Sequence, residues 1–159
     1  MVRRQSEKRQ QEQITTEQNV ALSSPGLSLL YAWGDNTMGK LGIGDAAALK
    51  VPRPQLIAGI ETNVTQVSCG ADHTLILTKI GTVYQMGQYF LSTKKGEALK
   101  HGTLHKPKIV ELPQHIHAMQ VAAGGGHSIA LMENHEVYTW GNNLHGSLGV
   151  GLSTQMCSN

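Results

Sequence analysis

The chain has 159 residues, 15% of them charged and 4% aromatic, with 18 glycines; that make-up does not suit a helical bundle and does suit many short strands joined by tight turns. A net charge of +2 falls short of the basic bias of a dedicated nucleic-acid binder. Two cysteines, Cys69 and Cys157, make no multi-bridge framework, and no apolar run reaches the ~20 residues that span a bilayer.

Residues 1–26 come first and are polar and Gln-rich, with Arg3, Arg4, Lys8 and Arg9 beside Glu7, Glu12 and Glu17. Apolar residues there are too few to define a helical face, so the expectation is a disordered or partly helical arm. No apolar segment of the signal-peptide kind follows the basic start, so the chain is expected to be intracellular, cytoplasmic or nuclear. The sequon Asn63-Val64-Thr65 is discounted on the same ground.

From residue 27 the sequence repeats itself. A leading strand is expected at about 27–34. Strands are then expected near 54–58, 64–69, 73–79 and 82–87, and again near 107–112, 117–123, 127–132 and 136–141. The second set follows the first at about 53 residues. Tyr31-Ala32-Trp33-Gly34 recurs from Tyr84 to Gly87 and from Tyr138 through Trp140 to Gly141. Gly70-Ala71-Asp72-His73 recurs from Gly124 to His127, and Arg53-Pro54 recurs as Lys106-Pro107. Val67 and Cys69 alternate with Gln66 and Ser68, which is the period-2 signature of a strand. Turn chemistry separates the segments at Lys79-Ile80-Gly81 and Glu133-Asn134. Four short antiparallel strands per ~50 residues, repeated, predict an all-β, incomplete β-propeller: two four-stranded antiparallel blades plus partial flanking repeats over 27–152, and a short tail at 153–159.

Trp33-Gly34-Asp35-Asn36, Gly39-x-Leu41-Gly42-x-Gly44, Val67-x-x-Gly70-x-x-His73 and Val137-Tyr138-x-Trp140-Gly141 resemble the repeat of the regulator-of-chromosome-condensation family, in about two and a half copies over 29–152. Kelch repeats share the period and a glycine run like Gly124-Gly125-Gly126, but the histidine three residues after the glycine fits the former better. The resemblance implies a seven-bladed ring, more than twice this length. The chain is therefore expected to be a truncated, non-catalytic fragment whose open blades expose edges prone to self-association. It further implies a protein-interaction module of the kind that regulates small GTPases by guanine-nucleotide exchange. The alternatives it leaves open are the propeller part of a ubiquitin ligase and a chromatin-binding scaffold that meets nucleosomes or nucleic acid. No enzyme activity, cofactor or metal is expected.

Candidate sites are weighed against scaffold roles. Trp33, Gly34, Gly70, His73, Gly87, Gly124, His127, Trp140 and Gly141 recur at equivalent positions, which argues for structure, since a catalytic histidine is singular. Gly34 to Lys40 is a near miss to a phosphate-binding loop. It is followed by Leu41 where magnesium binding needs a hydroxyl, and its copy has Ser147 in place of Lys40, so a turn is the better reading. His101 with His105, and His115 with His117, have spacings that metals use, without a nearby cysteine. The most informative departure follows Gly87. There the glycine pattern is lost and basic residues appear: Lys94, Lys95, Lys100 and Lys106 are the candidate partner-binding residues, with Lys108, His101 and His105 beside them.

Overall fold

The computed structural model describes residues 29–60, 63–91, 100–113 and 115–150. The arm at 1–26, the tail at 153–159, Lys94, Lys95 and Cys157 lie outside these residues. Nine strands follow in order: β1 (Tyr31–Asp35), β2 (Lys50–Leu56), β3 (Val64–Cys69), β4 (His73–Thr78), β5 (Val83–Leu91), β6 (Lys100–Ile109), β7 (Ala118–Ala123), β8 (His127–Met132) and β9 (Val137–Gly141), with a 3-10 turn at Thr37–Gly39. All pairings are antiparallel. No described helix is long and apolar enough to cross a membrane.

The strands form three sheets, β1-β2, β3-β4-β5-β6 and β7-β8-β9. The chain is thus an incomplete propeller of antiparallel blades, as the repeat predicts, but its strands are grouped in another phase. The segment expected to open each blade instead closes the one before. Ile57 donates its backbone N–H to Leu30 O at 2.8 Å and packs with Ile76, Tyr84 and Met86. In place of two four-stranded blades, the described residues hold one, flanked by two-stranded and three-stranded sheets. A period fixes the spacing of strands, while the boundary of a sheet depends on which edges find partners.

The core lies at the two junctions between sheets. Strand β4 is buried along its whole length because both of its faces are covered. Leu75 and Leu77 point toward the third sheet, where they meet Val121, Ala130 and Met132; Ile76 points the other way, toward Ile57 and Met86. Both faces of the strand therefore read as apolar, as expected of a strand sandwiched on two sides.

Hydrogen bonds stitch the second sheet to the third. The Gln66 side-chain amide donates to Val121 O at 2.8 Å and accepts from Val121 N at 3.0 Å, imitating a strand pairing. Ser68 Oγ accepts from Ala123 N, and Gln85 Oε1 accepts from the Trp140 indole, both at 2.9 Å. Each of these polar groups leaves water only because the adjacent sheet meets it.

Candidate functional site

Among the recurrent residues, Gly70, His73 and Gly124 sit where two sheets meet, whereas Trp33 is 60% exposed. His73 is buried, with Nε2 2.9 Å from Ser128 Oγ of the next sheet. Its backbone carbonyl accepts from Gly70 N, and the His127 carbonyl accepts from Gly124 N in the same way, both at 2.8 Å. Gly70 has no room for a side chain: a Cβ there would sit 2.3 Å from Gly124 O. The run Gly124-Gly125-Gly126 is accordingly a site of close approach between sheets, with Ala71 N donating to Gly124 O at 3.3 Å.

Burial, and secondarily the charge of His127, holds His73 below the ordinary value of 6.5, with Asp72 acting in the opposite sense. The unfolded chain therefore takes up that proton more readily than the folded one. The stability tied to neutral His73 is present above the unfolded value and is lost as pH falls below it. Urea midpoints are expected to fall between about pH 7.5 and about pH 5.5, and the fall is expected to shrink in His73→Gln. An equal fall in both proteins would assign the effect to other groups.

The stretch from Gly34 to Lys40 contains the 3-10 turn at Thr37–Gly39, and its lysine is held within the chain. Lys40 Nζ sits 2.6 Å from Asp35 Oδ2 and donates to Ala71 O at 3.1 Å. Hydrogen bonds from Lys40 and then from Thr37 hold the Asp35 carboxyl well below the usual carboxylate range. Asn36 pins the following loop: its amide donates to Ala48 O at 2.7 Å, and its Oδ1 accepts from Leu41 N at 3.1 Å. Asn143 repeats the second bond, to Leu148 N at 3.0 Å.

The second sheet differs from its neighbours at one end. β1 and β9 have five residues each, whereas β5 has nine and its partner β6 ten. Gln88↔Thr103, Tyr89↔Gly102, Phe90↔His101 and Leu91↔Lys100 extend the pairing into a two-stranded arm. Gly102 is where the Tyr89 ring crosses, since a Cβ there would lie 2.6 Å from it. The Phe90 and His101 rings stand 6.1 Å apart, tilted by 53°. At the base of the arm, Lys106 is exposed and lays its aliphatic stem against Gly44, and His105 Nδ1 is buried beside Gly39. His101 and His105 thus have separate surroundings, and among the described residues no three His, Cys, Asp or Glu gather as metal ligands. Of the four candidate lysines, Lys100 opens β6 and Lys106 lies at the arm's base.

Sequence reasoning found this loop by its lost glycines but missed the length of the arm. Gln88-Tyr89-Phe90-Leu91, with two aromatics, is the signal that was available.

The regulator of chromosome condensation (RCC1) repeat matches residues 29–77 and 120–147. The chain is 36% identical over 143 residues to the human E3 ubiquitin-protein ligase HERC2, covering 86% of this chain and 3% of that protein. It is 32% identical over 138 residues to the X-linked retinitis pigmentosa GTPase regulator of Canis lupus familiaris, covering 83% and 13%. The crystal structure of Prp20p from Saccharomyces cerevisiae, solved in a study of its binding to Gsp1p and histones, matches with a TM-score of 0.64 at 22% identity, over 83% of this chain and 34% of that one. The chain therefore spans only a small part of these relatives, and its likeness to the last is one of fold.

Proposed function

Because the chain belongs to the regulator of chromosome condensation repeat family, we propose that it is a protein-docking propeller module, intracellular and non-enzymatic, whose partner is a small GTPase regulated by guanine-nucleotide exchange. Exchange of this kind works by gripping a GTPase in its nucleotide-free form, so it requires shape and charge and no proton-transfer group. The observation that carries the reading is the β5–β6 arm. It stands where the repeat's glycine loop is replaced, on the one blade that is complete among the described residues. A rigid scaffold with one divergent loop is a common arrangement for binding. Lys94, Lys95, Lys100 and Lys106 follow Gly87 in the sequence, and their positive charge is of the kind that an acidic protein surface complements.

The test is capture of purified small GTPases, nucleotide-free and nucleotide-loaded, by the full chain, with nucleotide release followed in parallel. Preference for the nucleotide-free form is expected. The double variant Lys94→Glu, Lys95→Glu is expected to weaken capture roughly tenfold at low salt and less at high salt. Capture indifferent to nucleotide state and to both charge reversals would remove the GTPase reading. A second reading, a substrate-recruiting propeller of a ubiquitin ligase, is favoured by the 36% identity to HERC2. It predicts capture of a partner that is not a GTPase.

A further inference from the structure

We infer that Phe90 is the positioning residue of the β5–β6 arm: its ring, seated against Gly126 and Asn142 of the third sheet, fixes the direction in which the arm meets the partner. This role rests on the docking reading of the arm.

The arm needs support from outside itself. β4 pairs with β5 only from Val83 to Gly87, so beyond Gly87 the one pairing of β5 among the described residues is with β6. A ribbon of two strands is marginal in water when it stands alone. Successive residues point to opposite faces of such a ribbon. Tyr89 lies over Gly102, its opposite residue on β6, so that ring covers the arm itself. Phe90, the chain's one phenylalanine, stands on the other face with His101 opposite. A Cβ added to Gly126 would lie 3.4 Å from Phe90 Cε2 and 3.4 Å from Asn142 Cβ, so the edge of the ring rests against that glycine. Asn142 N donates to Gly126 O at 2.8 Å, which makes the seat one hydrogen-bonded unit. The ring is half-buried there.

The seat and the arm are matched in sequence. In the first sheet the glycine loop is kept, and there the loop supplies the glycine and the next sheet the side chain: Gly42 lies on Met86, and Gly44 N donates to His105 O at 2.6 Å. The second sheet has lost that loop, and the parts are exchanged. The arm supplies the side chain, Phe90, and the third sheet supplies the glycine, Gly126. Asp72 stands one repeat before Gly126, so the turn itself does not require a glycine. The neck of the arm is held separately: Gln88 N donates to Asp72 O at 2.7 Å, and the Gln85 amide donates to Gln88 O at 3.0 Å. Those bonds fix where the arm leaves the blade, and Phe90 fixes the direction it takes beyond. An arm already held at one angle loses less freedom on binding than a loose one, so a residue that need not touch the partner governs affinity.

Amide hydrogen exchange of the full chain, read over 88–91 and 100–104, tests the seating. Phe90→Ala is expected to speed exchange there roughly tenfold and to leave β4 and β8 unchanged. Phe90→Leu, which keeps an apolar group on the seat, is expected to restore most of the protection. Gly126→Ala is expected to speed exchange of the arm in the parent and to add nothing in Phe90→Ala, where the ring it displaces is gone. Capture of nucleotide-free small GTPases is expected to weaken roughly tenfold in Phe90→Ala, equally at low and high salt, and to return in Phe90→Leu. Unchanged exchange in Phe90→Ala, a rise spread over β4 and β8, or capture that persists while the arm is loosened overturns the assignment. If the parent captures no GTPase, the GTPase reading falls, and exchange of the arm still decides whether Phe90 seats it.

Discussion

Gly87→Ala is expected to destabilise the fold by about 2–6 kcal/mol, while the same change at Gly34, its equivalent one repeat earlier, is expected to cost about 1–3 kcal/mol. Both glycines have positive φ, 93° at Gly87 and 107° at Gly34, so both pay for a backbone that side chains rarely adopt. They differ in what surrounds them. A Cβ on Gly87 would lie 2.3 Å from Asp72 O and 2.7 Å from His73 Cα, and backbone cannot swing aside as the end of a side chain can. Around Gly34 nothing lies within 4 Å. Gly141 belongs with Gly87, since its Cβ would meet Gly126 O at 2.5 Å. Urea midpoints of the three variants check this ordering. Equal losses at Gly34 and Gly87 would show that φ alone sets the cost.

Leu75→Ala is expected to cost about 2–5 kcal/mol, and Ile129→Ala, at the equivalent point of the next repeat, less than about 1 kcal/mol. Leu75 is 0% exposed because the third sheet covers it, whereas Ile129 is 39% exposed. Val83, at 1%, and Val137, at 53%, make the same contrast on the adjoining strands. The position in the repeat is identical, so the difference isolates what a neighbouring blade contributes. Both variants are to be unfolded in urea and compared with the parent. A large loss at Ile129 would mean that its face is covered in solution, by another copy or by a segment beyond the described residues.

Much of the strand pattern was legible in the sequence, because glycine and histidine bracket each inner strand. The expected strand at 64–69 coincides with β3, and 73–79 differs from β4 by one residue. Sheet membership was not legible. Arg53-Pro54 and Lys106-Pro107 announce a strand without saying which side it joins, and only the register with Tyr31 and Tyr84 decides that. The stitches between sheets were also hidden, because the partners of Gln66 and Ser68 are backbone groups of Val121 and Ala123, which leave no residue signature. At Lys40 the sequence offered the copy with Ser147 as a sign that the turn does not depend on an ammonium group, and the structure adds that Lys40 pairs with Asp35 and donates to Ala71 O. For the candidate partner-binding lysines the sequence marked a place, the loop after Gly87. The arm's length and the Phe90–His101 contact came from the structure alone.

The staggered phase of the sheets has a mechanical consequence. The covalent thread leaves each sheet by its last strand and enters the next by its first, from β2 to β3 and from β6 to β7. A force drawn along the chain therefore peels an outer strand from its neighbour before it loads the junction where Leu75, Val83 and Met132 are packed. The peripheral strands act as sacrificial links, and the interlocked centre gives way last.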